Sequence, residues 1–332
     1  PRRRVETNPA AARKVKENLM SASRTRTLVR KSLAVASVAA LTLSVAACNR
    51  GEAASDNVTL ALSTQTNPFF VELRDGAQEK ADELGINLDV QDASDDASTQ
   101  TNQLKNAETS GAGVVIVNPT DSDAVGSAVQ SLNAADIPVV AVDRSSNAGE
   151  VASFVASDNV AGGEQAADAL AESIGEEGEI LILQGISGSS ASRDRGEGFE
   201  KGLKKYPKVK VAAKQTANFD RTEGLNVTTN LLQAHPNIKA VFAENDEMAL
   251  GAIEALGAKA GKEVKVFGFD GTEDGIKAIE DGTLEGTIAQ LPDELGAKAV
   301  EQAAAILNGE DPEAEIPVEV VTVTKQNVAE YK

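Results

Sequence analysis

Residues 113–144 read "GVVIVNPTDSDAVGSAVQSLNAADIPVVAVDR". Two short runs of Val, Ile and Ala flank an amphipathic, Ala-rich stretch, and each run ends on a polar group, Asn118 in one case and Asp143-Arg144 in the other. An apolar run too short for a helix, followed by a helical pattern and then a second run, is a strand–helix–strand unit. Strands apolar at every position belong to a parallel sheet covered on both faces.

The same alternation continues on both sides. Strand candidates are "VTLALS", "NLDVQD", "VASFVAS", "EILILQG", "KVAAKQT", "KAVFAEN", "VKVFGFD", "GTIAQL" and "VEVVTVT", with helical patterns such as "NVAGGEQAADALAESIG" between most of them. About eleven strands are many for one doubly wound sheet, so the expected fold is α/β with two doubly wound parallel-sheet lobes. In "STQTNPFF" (63–70), Pro68 pushes Asn67 towards extended geometry. Phe69 and Phe70 therefore open a helix just past a strand, with their rings expected at a mouth and not in a core.

The strand exits carry the chemistry. They read "NPFF", "NPTDSD", "DRSSN", "SDN", "QGISGSS", "NFDR", "ENDEMA", "FDG" and "AQLPD". In open parallel sheets the ligand crevice lies outside the carboxyl ends of the strands, where these groups converge. Asp, Asn and Ser also cap helices, but Arg144 and Arg195 are poor caps, and Phe70, Phe219 and Phe269 each lie near Asn, Asp or Arg. Flat rings mixed with carboxylate, amide and guanidinium groups suit a sugar, whose C–H faces stack while each hydroxyl donates and accepts.

The chain has 332 residues, 41% of them hydrophobic, enough for about two domains. Its first 47 residues hold 10 Lys and Arg against 2 Asp and Glu, leaving 22 against 49 in the remainder, a balance of −27. So acidic a body disfavours nucleic acid and anionic lipid. The apolar run 33–47, "LAVASVAALTLSVAA", follows Arg24, Arg26, Arg30 and Lys31 and ends at Cys48, the sole cysteine. That is the layout of a secretory signal. "LSVAAC" resembles a bacterial lipobox, which implies cleavage before Cys48 and lipidation of its sulfur. Residues 1–47 are thus read as leader, with translation starting at Met20 and 1–19 outside it, and 48–57 as a flexible tether.

Catalytic readings find little support. His235 is the only histidine and sits in an apparent surface turn, which argues against a His-based zinc site and Ser/His or Cys/His catalysis. "GISGSSASRDRG" lacks the Lys-Ser/Thr end of a phosphate loop, and "QDASDDAS" lacks the full calcium-loop pattern. Asp143 and Asp270 could form a glycosidase pair, but their neighbours suit hydroxyl binding at least as well. No enzyme activity, cofactor or metal is expected.

The motifs "NPFF", "NPTDSDAVG", "IPVVAVDR", "ASDNVAGG", "RDRGEGF", "NFDRTEGLNV", "AHPNIKAVFAENDEMALGA", "VFGFDGTEDG" and "TIAQLPDELGAKAVE" occur in this order. Together, from about residue 58 to 326, they resemble bacterial ribose-binding proteins of the type I periplasmic binding protein family. The resemblance implies two lobes, 58–157 with 291–318 and 158–290 with 319–326, joined by a three-crossing hinge around a sugar cleft. It implies Asn67, Phe69, Phe70, Asp143 and Arg144 as ligand contacts from the first lobe. From the second it implies Arg195, Phe219, Asn245, Phe269, Asp270 and, near the hinge, Gln290. The expected role is a monomeric lipoprotein, anchored through Cys48 to the outer face of the cell membrane. It would deliver D-ribose to an ABC permease and its cytoplasmic ATPase. Allose or a furanose-like signal molecule is the alternative ligand. A LacI-type regulator core shares this fold but needs a DNA-binding segment where this chain has a leader.

Overall fold

The computed structural model describes residues 56–331. The leader, Met20, Cys48 and all of the expected tether except its last two residues lie outside the described residues. The tether's last residue, Asn57, already opens the first strand.

The strands are β1 (Asn57–Leu62), β2 (Asn87–Asp92), β3 (Val114–Val117), β4 (Val139–Val142), β5 (Ser153–Ser157), β6 (Gly178–Gln184), β7 (Val209–Thr216), β8 (Ala240–Ala243), β9 (Lys265–Asp270), β10 (Gly286–Ala289), β11 (Glu315–Val318) and β12 (Val321–Thr324). Between them run α1 (Pro68–Leu84), α2 (Ala97–Ser110), α3 (Gly126–Ala134), α4 (Asn159–Ser173), α5 (Ser190–Leu203), α6 (Arg221–Ala234), α7 (Asp246–Leu256), α8 (Glu273–Asp281) and α9 (Pro292–Leu307).

Two six-stranded sheets result. One has the order β11-β5-β4-β3-β1-β2 and is parallel throughout; the other, β12-β10-β9-β8-β6-β7, is parallel except for β12 against β10. The chain passes between the sheets after β5, after β10 and after β11, which makes the three crossings. Each sheet has an apolar cluster on either face, and β3, β4, β8 and β10 are buried at every residue. That is why β3, β4 and β8 read as unbroken apolar runs, while the one polar side chain of β10, Thr287, is bonded to Asp246: water touches neither face, and each buried Val, Ile or Leu contributes about 1.5–3 kcal/mol.

Three local expectations are corrected. "VEVVTVT" (318–324) is not one strand. It breaks at Glu319 and Val320, where the chain leaves the edge of one sheet for the edge of the other. Pro317, with no N–H to donate, is tolerated because β11 pairs on one side only, with β5. The helical pattern 121–135 starts late, because the Asp121 carboxylate accepts from the N–H groups of Asp123 and Ala124 and holds a turn there. Phe69 and Phe70 do begin α1, with Asn67 as its cap and Pro68 in the first turn, yet the rings are buried within the first sheet's core cluster.

Helices α4 and α5 touch backbone to backbone. A Cβ on Gly198 would lie 2.1 Å from the Val160 carbonyl oxygen, and one on Gly163 would lie 2.3 Å from that of Arg195. Among the described residues, no helix is long and apolar enough to cross a membrane.

Candidate functional site

The segments after β1, β4, β6, β7 and β8 and the end of β9 deliver polar or aromatic side chains to one region between the sheets. A cavity there is lined by Asn67, Phe69, Phe70, Asp143, Arg144, Ala191, Arg195, Phe219, Asn245 and Asp270. Of the residues anticipated from sequence, only Phe269 and Gln290 do not line it. Phe269 is a floor beneath Arg195, whose Cζ lies 3.9 Å from the ring centroid, and Gln290 Nε2 donates to Asp270 Oδ1 at 2.7 Å. Ala191, in the first turn of α5, was not anticipated; a methyl group leaves no chemical signal in a sequence.

Four charged groups meet here, all almost fully buried: Asp143 and Arg144 after β4, Arg195 on α5, and Asp270 at the end of β9. Arg144 Nε is 3.4 Å from Asp143 Oδ2, and Arg195 Nη1 is 3.5 Å from Asp270 Oδ1. Burial raises both carboxyls above the ordinary range, well above for Asp270, while Arg144 and Arg195 pull Asp143 back and Arg195 pulls Asp270 back. Rings interleave the charges. The guanidinium carbon of Arg144 stands 5.1 Å from the Phe70 centroid and 5.4 Å from that of Phe219, and Phe69 meets Phe70 edge to face at 5.1 Å.

Hydrogen bonds to neighbours fix each side chain. Asn118, at the end of β3, donates to Asp143 Oδ2 at 3.1 Å and to the Val142 carbonyl at 3.2 Å. Arg144 Nη1 donates to the Pro119 carbonyl at 3.1 Å. Arg195 donates through Nε to Asn159 Oδ1 at 2.9 Å and through Nη1 to the Glu244 carbonyl at 2.7 Å. Asn245 caps α7 through Oδ1 and donates to the Phe219 carbonyl at 3.2 Å. Asp143, Phe219 and Asp270 have φ of 64°, 61° and 125°, a region L-residues enter at a cost.

Asp143 Oδ1, Glu244 Oε1 and Gln290 Oε1 are buried without a hydrogen-bond partner among the described residues. A buried acceptor left unmade costs about 1–3 kcal/mol, more when charged, and of the three only Asp143 belongs to the cavity lining, where a ligand could supply the donor. The lobes also meet directly: Ser122 N donates to the Gly188 carbonyl at 3.0 Å, and Ser145 N to Ser190 Oγ at 2.9 Å.

The sequence profile of the periplasmic binding protein domain matches residues 58–311. The chain belongs to the periplasmic binding protein family. Among curated members it is 49% identical to the ribose import binding protein of Escherichia coli over 298 residues, which is 90% of this chain and 99% of that one. It is 45% identical to the Bacillus subtilis ribose import binding protein over 261 residues, 79% of this chain and 85% of the relative. A structure of an ABC transporter periplasmic solute-binding protein from Actinobacillus succinogenes with bound D-allose superposes with a TM-score of 0.78 at 35% identity, covering 83% of this chain and 99% of that one. The Caulobacter myo-inositol-binding protein superposes with a TM-score of 0.79 at 32% identity, over 85% and 96%. As a periplasmic binding protein the chain is a solute carrier and not an enzyme.

Asn118, Asn159 and Glu244 stand in the quoted strand exits but were not singled out as site residues, because their partners come from other segments of the chain. Glu244 shows the cost of that support. Its carboxylate accepts from Ser192 Oγ and from Gly185 N, and burial lifts its pKa from 4.5 to about 7 against those bonds and the attraction of Arg195 and Lys214. The unfolded chain releases this proton near 4.5 and the folded chain near 7. Its contribution to stability is therefore greatest below about 4.5 and falls as pH rises to about 7, by on the order of 3 kcal/mol. Urea unfolding at pH 5 and pH 7.5 should show the parent losing more stability across that interval than Glu244→Gln, in which the other buried carboxylates remain. Equal losses would mean that Glu244 ionises as freely in the fold as outside it.

Proposed function

We propose that this periplasmic binding protein is the ribose-binding component of an ABC sugar importer, closing its two lobes on the sugar outside the cytoplasm. Its permease and ATPase partners would take the sugar onward. The observation that carries this reading is the meeting of Asp143 and Arg144 from one lobe with Arg195 and Asp270 from the other, over phenylalanine rings, with Asp143 Oδ1 and Gln290 Oε1 lacking donors. Each sugar hydroxyl can donate to such an oxygen and accept from a guanidinium, while the ring's C–H face lies on Phe69, Phe70 or Phe219. The identity to ribose import proteins favours ribose over allose. Domain limits follow the crossings: 58–157 with 291–318 in one lobe, 158–290 with 319–326 in the other.

We further infer that the mature protein is a monomer held to the outer face of the membrane by lipid on Cys48. The support is the run "LSVAAC" after an apolar stretch with basic residues before it. A Cys48→Ala protein should leave the membrane fraction; full retention there would rule the anchor out.

Discrimination should come from hydroxyls. A missing hydroxyl leaves a buried charged or amide group unpaired, while stacking is almost unchanged. Calorimetry over a pentose and hexose panel including D-allose should find ribose the tightest, with 2-deoxyribose at least about tenfold weaker, since ~1.4 kcal/mol is a factor of ten. Equal affinity for ribose and 2-deoxyribose would overturn hydroxyl reading, and preference for another sugar would reassign the ligand.

A further inference from the structure

Asn245 lines the cavity, but the residue after it does not. Asp246, the first residue of α7, is fully buried, and its carboxylate accepts four hydrogen bonds. Oδ2 takes the backbone N–H groups of Gly271 and Thr272, each at 2.9 Å, and the Thr272 hydroxyl at 3.2 Å; Oδ1 takes the Thr287 hydroxyl at 2.7 Å. Consecutive N–H groups turned onto one oxygen make a small anion-binding nest. Here the anion comes from the protein itself, from the first turn of α7 that follows the neighbouring strand β8. The surroundings are shaped to it: a Cβ on Gly268 would lie 2.2 Å from Oδ1, and one on Gly275 would lie 2.3 Å from Oδ2.

The nest begins one residue after Asp270. Asp270 stands at φ 125° and Gly271 at φ 81°, so the chain leaves β9 through a conformation that does not sustain itself in an L-residue. The bonds to Asp246 pin the two peptide groups beyond it. Thr272 in turn caps α8 by accepting from Gly275 N at 3.2 Å. Asp270, held this way, keeps its carboxylate between Arg195 and Gln290 Nε2.

We propose that Asp246 is a positioning residue for sugar binding: it touches no ligand, and it acts through Asp270 by clamping the Gly271-Thr272 backbone. This rests on the sugar-binding reading above. The second lobe thus divides the work within "ND": Asn245 faces the cavity, and Asp246, turned the other way, holds the carboxylate of the next strand exit.

A double-mutant cycle on the full chain, read by calorimetry with ribose or whichever panel sugar the parent binds most tightly, separates this from a general role in stability. Asp246→Ala and Asp270→Ala should each weaken binding by at least about tenfold, and the double variant should bind within about threefold of Asp270→Ala alone, because the loss runs through one side chain. Losses that multiply would overturn the proposal. A parent that binds no sugar overturns the sugar-binding reading and this inference with it; a parent that binds, with independent losses, overturns this inference alone.

Asp246→Asn, nearly isosteric, supplies a second readout and decides the matter if Asp246→Ala does not fold. The charged groups facing Asp270 are Arg195 on α5, Asp143 and Arg144 after β4, and Asp246, whose negative charge disfavours ionisation of Asp270. Removing that charge should move the acid limb of sugar binding to lower pH. An unmoved limb would contradict coupling between the two carboxylates.

Discussion

Everything in the cleft follows from the burial of four charges, Asp143, Arg144, Arg195 and Asp270, in a space from which water is nearly excluded. Removing an ion from water costs several kcal/mol unless partners replace the hydration shell. The protein supplies most of that replacement but not all of it. The ion contacts are long, at 3.4 and 3.5 Å, and Asp143 Oδ1 and Gln290 Oε1 have no donor. On the reading proposed above, a molecule bearing several hydroxyls would complete the set and a molecule lacking one would not.

Such groups must be held still, or they would turn to satisfy one another. The fold provides this by placing Asp143, Arg144 and Asp270 at the carboxyl ends of β4 and β9, and Arg195 on α5. A further layer of groups then locks each one: Asn118 under Asp143, Asn159 and the Glu244 carbonyl on Arg195, and Asp246 behind Asp270. Three cavity residues, Asp143, Phe219 and Asp270, adopt backbone conformations that disfavour L-residues, so part of the lobes' stability is spent on aim. Asp143 and Arg144 come from one lobe and Arg195 and Asp270 from the other, and the bonds Ser122–Gly188 and Ser145–Ser190 join the lobes beside them.

Much of this was legible in the sequence. Doubly buried strands must be apolar at every position, so β3 and β4 announced a parallel sheet, and the polar residues after them marked the crevice. The arginines at 144 and 195 stood out because capping could not explain them. What stayed hidden depends on contacts between distant segments. "VEVVTVT" is as β-prone across Glu319 as on either side, and only the separation of the sheets breaks it. Phe69 and Phe70 share their core cluster with Leu295, Ala299 and Val300 of α9, more than 200 residues later in the chain. Glu244 and Asp246 look like any acids at a helix start, a position where carboxylates are favoured anyway. Their roles lie in what β6, α5 and β9 bring to them.

The most direct measurement is a crystal structure of the protein grown with ribose. The sugar should touch Arg144 from one lobe and Arg195 from the other, with one of its hydroxyls about 2.5–3.0 Å from Asp143 Oδ1, the ordinary span of an O–H···O bond. A sugar held by a single lobe, or an Asp143 Oδ1 still without a donor, would contradict the claim that the ligand completes a set of buried charges.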